Sequence, residues 1–234
     1  MAMTVNKQKT LDHVYTALKK RFDAPEPAQR NVLEHLLYAV VREGTTRERA
    51  DRAFQNLKTR FVDWNEVRVS TVQELCDAMG PLPDVATRAQ RLIGILQEWF
   101  ELTYSFDMEE VAKKGLKEGA KKVSRLNDSN DYSVAWVVQH GLGGHAIPLD
   151  GPALRVLRRL GVLDGESESL ESLRGTIEHF VPKVKGPAFV ELLSRHADEI
   201  CVEDNPRCPK CPLLDDCPTG QERLQEGTKP RKSR

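Results

Sequence analysis

Apolar residues recur at three- and four-residue spacing along almost the whole of this chain, and that periodicity limits the possible folds more than any other feature. Leu11, Val14, Tyr15, Leu18 and Phe22 form one stripe, Leu33, Leu36, Leu37 and Val40 a second, more apolar one, and Ala50, Ala53, Phe54 and Leu57 a third. Thr71 followed by Glu74 has the form of a capping box, opening a helix that Gly80 and Pro81 close. Leu92, Ile95, Leu96 and Phe100 stripe the next helix, and later stripes run over 134–138, 154–160, 170–180 and 189–193. No segment alternates with a period of two between hairpin signals, and no fixed-period repeat is present, so the expected class is all-α.

A chain of 234 residues with 39% hydrophobic content can bury one large core or two modest lobes. Its start, MAMTVNKQKT, is polar, and nothing later approaches the roughly 18 apolar residues that a membrane span needs. A cytoplasmic location and no membrane partner are expected. The 35 Lys and Arg residues are balanced by 35 Asp and Glu, so any nucleic-acid footprint has to be local. The final GTKPRKSR reads as a basic, solvated terminus rather than a dedicated binding arm.

Four of the five cysteines fall within CVEDNPRCPKCPLLDDC, where Cys201, Cys208, Cys211 and Cys217 have the spacing C-x6-C-x2-C-x5-C. With no export signal, a disulfide framework is disfavoured and metal ligation is the better reading. Structural zinc usually draws on two closely spaced knuckles, whereas this segment has one C-x2-C pair and wider outer loops. A 4Fe-4S cluster, with one thiolate at each corner iron, suits that spacing better; zinc and unligated thiols are the alternatives. Cys76, in a separate helical stripe, reads as a small buried hydrophobe.

This spacing at the C-terminal end of an all-helical chain, within NPRCPKCPLLDDC, resembles the cluster loop of the endonuclease III family of DNA glycosylases, in the helix-hairpin-helix superfamily. The resemblance spans roughly residues 10–220. It implies a 4Fe-4S cluster on the four cysteines that orders the fold and contacts DNA, while base chemistry takes place elsewhere. It also implies two helical lobes: a barrel over 28–144 with its hairpin at about 126–131, and a cluster lobe over 145–217 joined by the N-terminal helix of 1–27, followed by a basic tail over 218–234. The implied partner is double-stranded DNA lying across the cleft, and the protein is expected to be a monomer.

A second signature of the family falls within LNDSNDYSVAWVVQHGLGGHAIPLDGPALRVLRRLG, residues 126–161. Asp150 matches the family's essential aspartate, and Arg155 and Val156 match the arginine and valine after it, in a form closest to the adenine-mismatch branch. Eighteen residues before Asp150 stands Tyr132, where bifunctional members carry lysine. A phenol cannot form the Schiff base of a strand-cleaving lyase, so the resemblance implies a monofunctional enzyme that uses activated water. Asp150 would then stabilise an oxocarbenium-like sugar below C1′. Read locally, an aspartate before GPALRVL is a helix N-cap, and one residue can do both.

Other positions depart from the family. Asp128 and Asn130 replace hairpin glycines; both residue types tolerate left-handed backbone, which would preserve the hairpin, while Asp128 and Asp131 bring negative charge to a phosphate site. Asn127, Asp128, Ser129 and Asn130 are the candidate DNA contacts there, joined by Lys121, Lys122 and Arg125. With Lys113, Lys114 and Lys117 these form a basic ridge on the helix entering the hairpin, or simply a solvated face. Neither Lys121 nor Lys122 is taken as a nucleophile. Arg207 and Lys210 add positive charge to the cluster loop, diluted by Glu203 and Asp204. Val40 falls on the family's wedge glutamine, and Leu82, before Arg88 and Ala89, is a second inserted residue or plain packing. His35 reads as a core histidine with general-acid chemistry as the alternative, Trp136 as a core aromatic, and His145 has no assigned task. The expected function is base-excision repair by a monofunctional glycosylase; a non-catalytic DNA-binding 4Fe-4S protein and a lyase using another amine are the alternatives.

Overall fold

The computed structural model describes residues 6–163 and 169–227, and every regular element among them is helical. The all-α expectation therefore holds. No described helix is long and apolar enough to cross a membrane. The chain divides into two compact units, one of residues 1–26 with 149–234 and one of residues 27–148.

Helix α1, Lys7–Lys19, starts where the Asn6 side chain accepts the Lys9 amide at 3.1 Å, and it buries Leu11, Val14 and Leu18. The 27–148 unit then runs through α2 (Val32–Arg42), α3 (Arg47–Arg60), α4 (Trp64–Val69), α5 (Val72–Met79), α6 (Val85–Thr103), α7 (Glu109–Lys113), α8 (Leu116–Val123) and α9 (Asp131–Trp136). A π-helical turn, Val137–Gly141, extends α9. Asn31, Thr46, Asp63, Thr71 and Asn130 each cap the following helix by accepting an amide N–H with the side chain. The Thr71–Glu74 capping box is complete and Gly80, at φ +70°, ends α5.

Helix α2 is buried on nearly every side, as its high apolar content requires. That corrects the expectation for Val40, which is wholly buried in this core and has no access to a base-pair gap. The Arg88 guanidinium caps the other end of α2, donating to the carbonyls of Val40 at 2.6 Å, Val41 at 3.2 Å and Glu43 at 2.5 Å. These are carbonyls that a helix C-terminus leaves unpaired. Leu82 packs partly buried against the same core, as do Cys76 of α5 and, more deeply, Trp136.

The expected single basic helix before the hairpin is two short ones. Gly115, at φ +83°, breaks the chain between α7 and α8, so Lys113 and Lys114 do not share a helix face with Lys121 and Lys122.

The other unit continues with α10 (Gly151–Arg159), α11 (Leu170–Phe180), α12 (Gly186–Glu199) and α13 (Pro218–Gly227). Here α1 packs on α11 and α12, and α10 packs on α12. His13 of α1 pairs with Asp216, beside the last cysteine, and Arg195 donates to the Asp23 carbonyl at 3.3 Å. The segment expected as a tail begins with α13; residues 228–234 lie outside the described residues, as do 1–5 and 164–168.

Candidate active site

Asp150 is the N-cap of α10. Its Oδ1 accepts the Ala153 amide at 2.9 Å, Pro152 occupies the first turn, and only 7% of the residue is exposed. Arg155, one turn on, donates to the carbonyls of Cys201 at 3.0 Å and Ala197 at 3.1 Å, which fastens α10 to the end of α12.

In the 27–148 unit, Tyr132 lies in the first turn of α9 and is 4% exposed. Its ring stacks on Trp136 at 6.0 Å, Trp136 lies 4.3 Å from His140, and His140 stacks on His35 at 5.9 Å between centroids. Tyr132, Trp136 and His140 are four residues apart, so one face of α9 and its π-helical extension carries a row of rings. His35 Nδ1 and Trp136 Nε1 are buried there without a hydrogen-bond partner. Burial lowers the His35 pKa to about 4, aided by Arg30 and opposed by Glu34. Burial, then His35 and Arg30, lowers that of His140 to about 3. Both imidazoles are therefore neutral at pH 7, which makes His35 a poor proton donor and fits its reading as a core residue.

The turn joining α8 to α9 is closed by its own groups and by α6. Ser129 Oγ donates to the carbonyls of Val123 at 2.8 Å and Leu126 at 2.9 Å, and Asn130 and Ser133 form a reciprocal capping box. Neither Asp128 nor Asn130 has a positive φ, contrary to the expectation of left-handed backbone; Asn130, at φ −138°, is extended because it is an N-cap. From α6, Glu98 accepts the Asn127 amide at 2.8 Å, and Arg91 donates to the Asp128 carbonyl at 3.1 Å and to Glu43 at 2.8 Å. Asn130 Nδ2 donates to the Glu43 carboxylate, 2.9 Å from Oε1 and 3.0 Å from Oε2. The Asp128 carboxylate lies over Gly94 rather than projecting outward as expected.

Of the expected basic contacts in this unit, Lys121 and Arg125 are exposed, whereas Lys122 sits 4.6 Å above the Trp99 ring and Lys113 pairs with Glu110 at 2.7 Å. His145 of this unit is exposed too, as are Arg207 and Lys210 of the other unit.

Cys201, Cys208, Cys211 and Cys217 line one pocket, walled by Val156, Leu160, Ile200 and Leu213. Arg159 Nη1 donates to Cys201 Sγ at 3.4 Å and the Gly220 amide to Cys217 Sγ at 3.3 Å. Burial first, and the neighbouring thiols in addition, push Cys211 up to about 11, and burial also raises Cys217. Unligated, these two are thiols at neutral pH. Among the described residues, no three His, Cys, Asp or Glu side chains are gathered closely enough to hold a metal ion. Four sulfurs spread around a shared, largely apolar pocket match the donor set of an iron–sulfur cluster better than a single-ion cage.

No protein-family model matches the chain. Over 174 residues it is 28% identical to endonuclease III of Bacillus subtilis (strain 168), covering 74% of this chain and 73% of that protein. This chain resembles endonuclease III distantly in sequence and closely in fold. Its fold matches that of a trapped endonuclease III–DNA covalent intermediate at TM-score 0.72 and 19% identity, covering 94% of this chain and 100% of the other. A non-covalent endonuclease III–DNA complex matches at TM-score 0.74 and 19% identity over 95% and 100% of the two chains, and a thermostable thymine-DNA glycosylase at 0.67 and 20% over 92% and 97%. These three likenesses concern the fold.

Within this endonuclease III-like scaffold, sequence patterns alone did not single out Glu43, Arg91, Gly94 and Glu98, which shape the hairpin. A cue exists: Arg91, Gly94 and Glu98 are three and four residues apart on α6, so a small residue separates two charged ones on one face.

Proposed function

We propose that this chain is a monofunctional DNA glycosylase of base-excision repair, hydrolysing the N-glycosidic bond of a damaged or mismatched base in double-stranded DNA. The observation that carries this reading is the buried, amide-bonded Asp150 with a phenol, Tyr132, at the position where a lyase needs an amine. In the reaction, the C1′–N bond breaks with its electron pair leaving on the base, water oxygen adds to C1′, and the proton released from that water passes to Asp150. The departing base takes its proton from solvent. Until it takes that proton, the Asp150 carboxylate stabilises the developing positive charge on the sugar.

Cys201, Cys208, Cys211 and Cys217 would hold a 4Fe-4S cluster that gives the loop after α12 its order, placing Arg207 and Lys210 as exposed partners for phosphates. A second reading, duplex binding without base chemistry, draws support from the hairpin, whose polar groups are taken up by Glu43 and Glu98.

The test incubates cluster-loaded protein in excess with duplexes carrying oxidised pyrimidines, uracil, thymine or uracil opposite guanine, and adenine opposite oxoguanine, with and without hot alkali. Breaks that appear only after alkali and vanish in Asp150→Asn support the glycosylase. Duplex binding with no breaks on any substrate supports the second reading instead.

A further inference from the structure

A fixed backbone N–H in a turn attracts anions. In this chain an anion already belongs to the protein. Glu98 Oε2 takes the Asn127 N–H at 2.8 Å, the length of a strong charge-assisted hydrogen bond, although Asn127 itself is exposed. A carboxylate and a phosphate compete for such an N–H with the same chemistry: a negatively charged oxygen accepting from a fixed donor. The side-chain amide of Asn130 is likewise committed, to both oxygens of Glu43.

We propose that Glu98 is an internal occupant of the Asn127 amide that keeps DNA phosphate off the hairpin. Duplex affinity then rests on other positive charges of the chain, and the hairpin becomes a phosphate contact only when Glu98 is displaced or removed. The contact is separable from folding. Arg91 bridges Glu43 and the Asp128 carbonyl, Ser129 closes the turn, and Asn130 caps α9, so the hairpin retains its ties without Glu98.

This inference rests on the reading of the chain as a duplex-binding protein, and one experiment separates their failures. Full-length, ¹⁵N-labelled wild type, Glu98→Ala and Glu98→Gln, each checked by thermal melting, are titrated with a fluorescent duplex, and affinity, its salt dependence and the Asn127 amide resonance are recorded. Glu98→Ala is expected to bind about three- to tenfold tighter, with its log–log salt slope steeper by about 0.9 for one added phosphate. The Asn127 resonance should shift on DNA addition in that variant and stay in place in wild type. Glu98→Gln, which keeps an acceptor but loses the charge, should gain affinity less and keep the wild-type slope. Equal or weaker binding by a folded Glu98→Ala, or movement of Asn127 in DNA-bound wild type, overturns the proposal while leaving duplex binding intact. Binding by Glu98→Ala alone supports the proposal and overturns the wild-type glycosylase reading, and binding by neither overturns both.

Discussion

Asp128 rests its carboxylate on the backbone of Gly94, so closely that a Cβ added to Gly94 would lie 2.8 Å from Asp128 Cγ. Glycine inside α6 costs about 0.5–1 kcal/mol relative to alanine, so the sequence sacrifices helix stability to seat the hairpin. Gly94→Ala in an Asp128→Ala background should therefore stabilise the protein by about 0.5–1 kcal/mol. In the wild-type background the same change should lose that gain, because Asp128 must rotate away. A double-mutant cycle by urea denaturation should give a coupling energy of about 1 kcal/mol or more. Additivity of the two changes would mean that the seat is not under steric constraint.

Asp150 has two assigned tasks that different substitutions separate. Asparagine caps a helix about as well as aspartate, so Asp150→Asn should leave stability within about 0.5 kcal/mol, whereas Asp150→Ala should cost about 1 kcal/mol. Base release should fail in both. An Asp150→Asn protein that melts like wild type and still excises a base would reduce Asp150 to its cap.

Neutral, buried His35 and His140 make stability depend on pH in a defined window. Their folded pKa values, about 4 and about 3, lie below the ordinary 6.5, so the unfolded chain binds more protons as pH falls through 6.5. Stability from this source is fully present above about pH 7 and declines as pH falls toward the folded values. Between pH 7 and pH 5 the decline should be of order 3–4 kcal/mol for the two together, before most carboxylates titrate. Denaturation midpoints at those two pH values should converge in His35→Leu, which removes one imidazole from the cluster. An unchanged gap between them would place the pH dependence elsewhere.

The helical class was legible because burial of α2 is a local matter: Leu33, Leu36, Leu37 and Val40 announce their face within three turns. Thr71 and Glu74 likewise cap across three residues. The hairpin was not legible to the same depth, since its fixing partners lie far off in sequence. Glu43 is 87 residues from Asn130, and Glu98 is 29 residues from Asn127. Without them, Asp128 reads as charge facing a phosphate; with them, it is a side chain turned inward over Gly94. The ring row has a subtler cause. Tyr132, Trp136 and His140 keep helical spacing, which gives no sign that the chain opens into a π-helical turn at Val137. The identity of Tyr132, by contrast, is visible at once, because the absence of an amine from a side chain needs no geometry to be noticed.

Iron content is the remaining test, and it distinguishes the two metals that four cysteines could hold. Protein purified without oxygen should contain about four iron atoms per chain and absorb visible light, against about one zinc for a tetrahedral site. Cys208→Ser should lose most of the iron and the absorption. The consequences for stability should be unequal along the chain. The core of the 27–148 unit is built from α2 to α9 without any of the four thiols. The loop after α12, by contrast, places four cysteines around one pocket. Hydrogen exchange in iron-free protein should therefore quicken in residues 200–220 while amides of α2 and α6 keep their protection. Equal loss of protection in both segments would show that the metal holds the whole molecule together, and unchanged exchange in 200–220 would show that the loop orders itself through contacts such as His13 with Asp216.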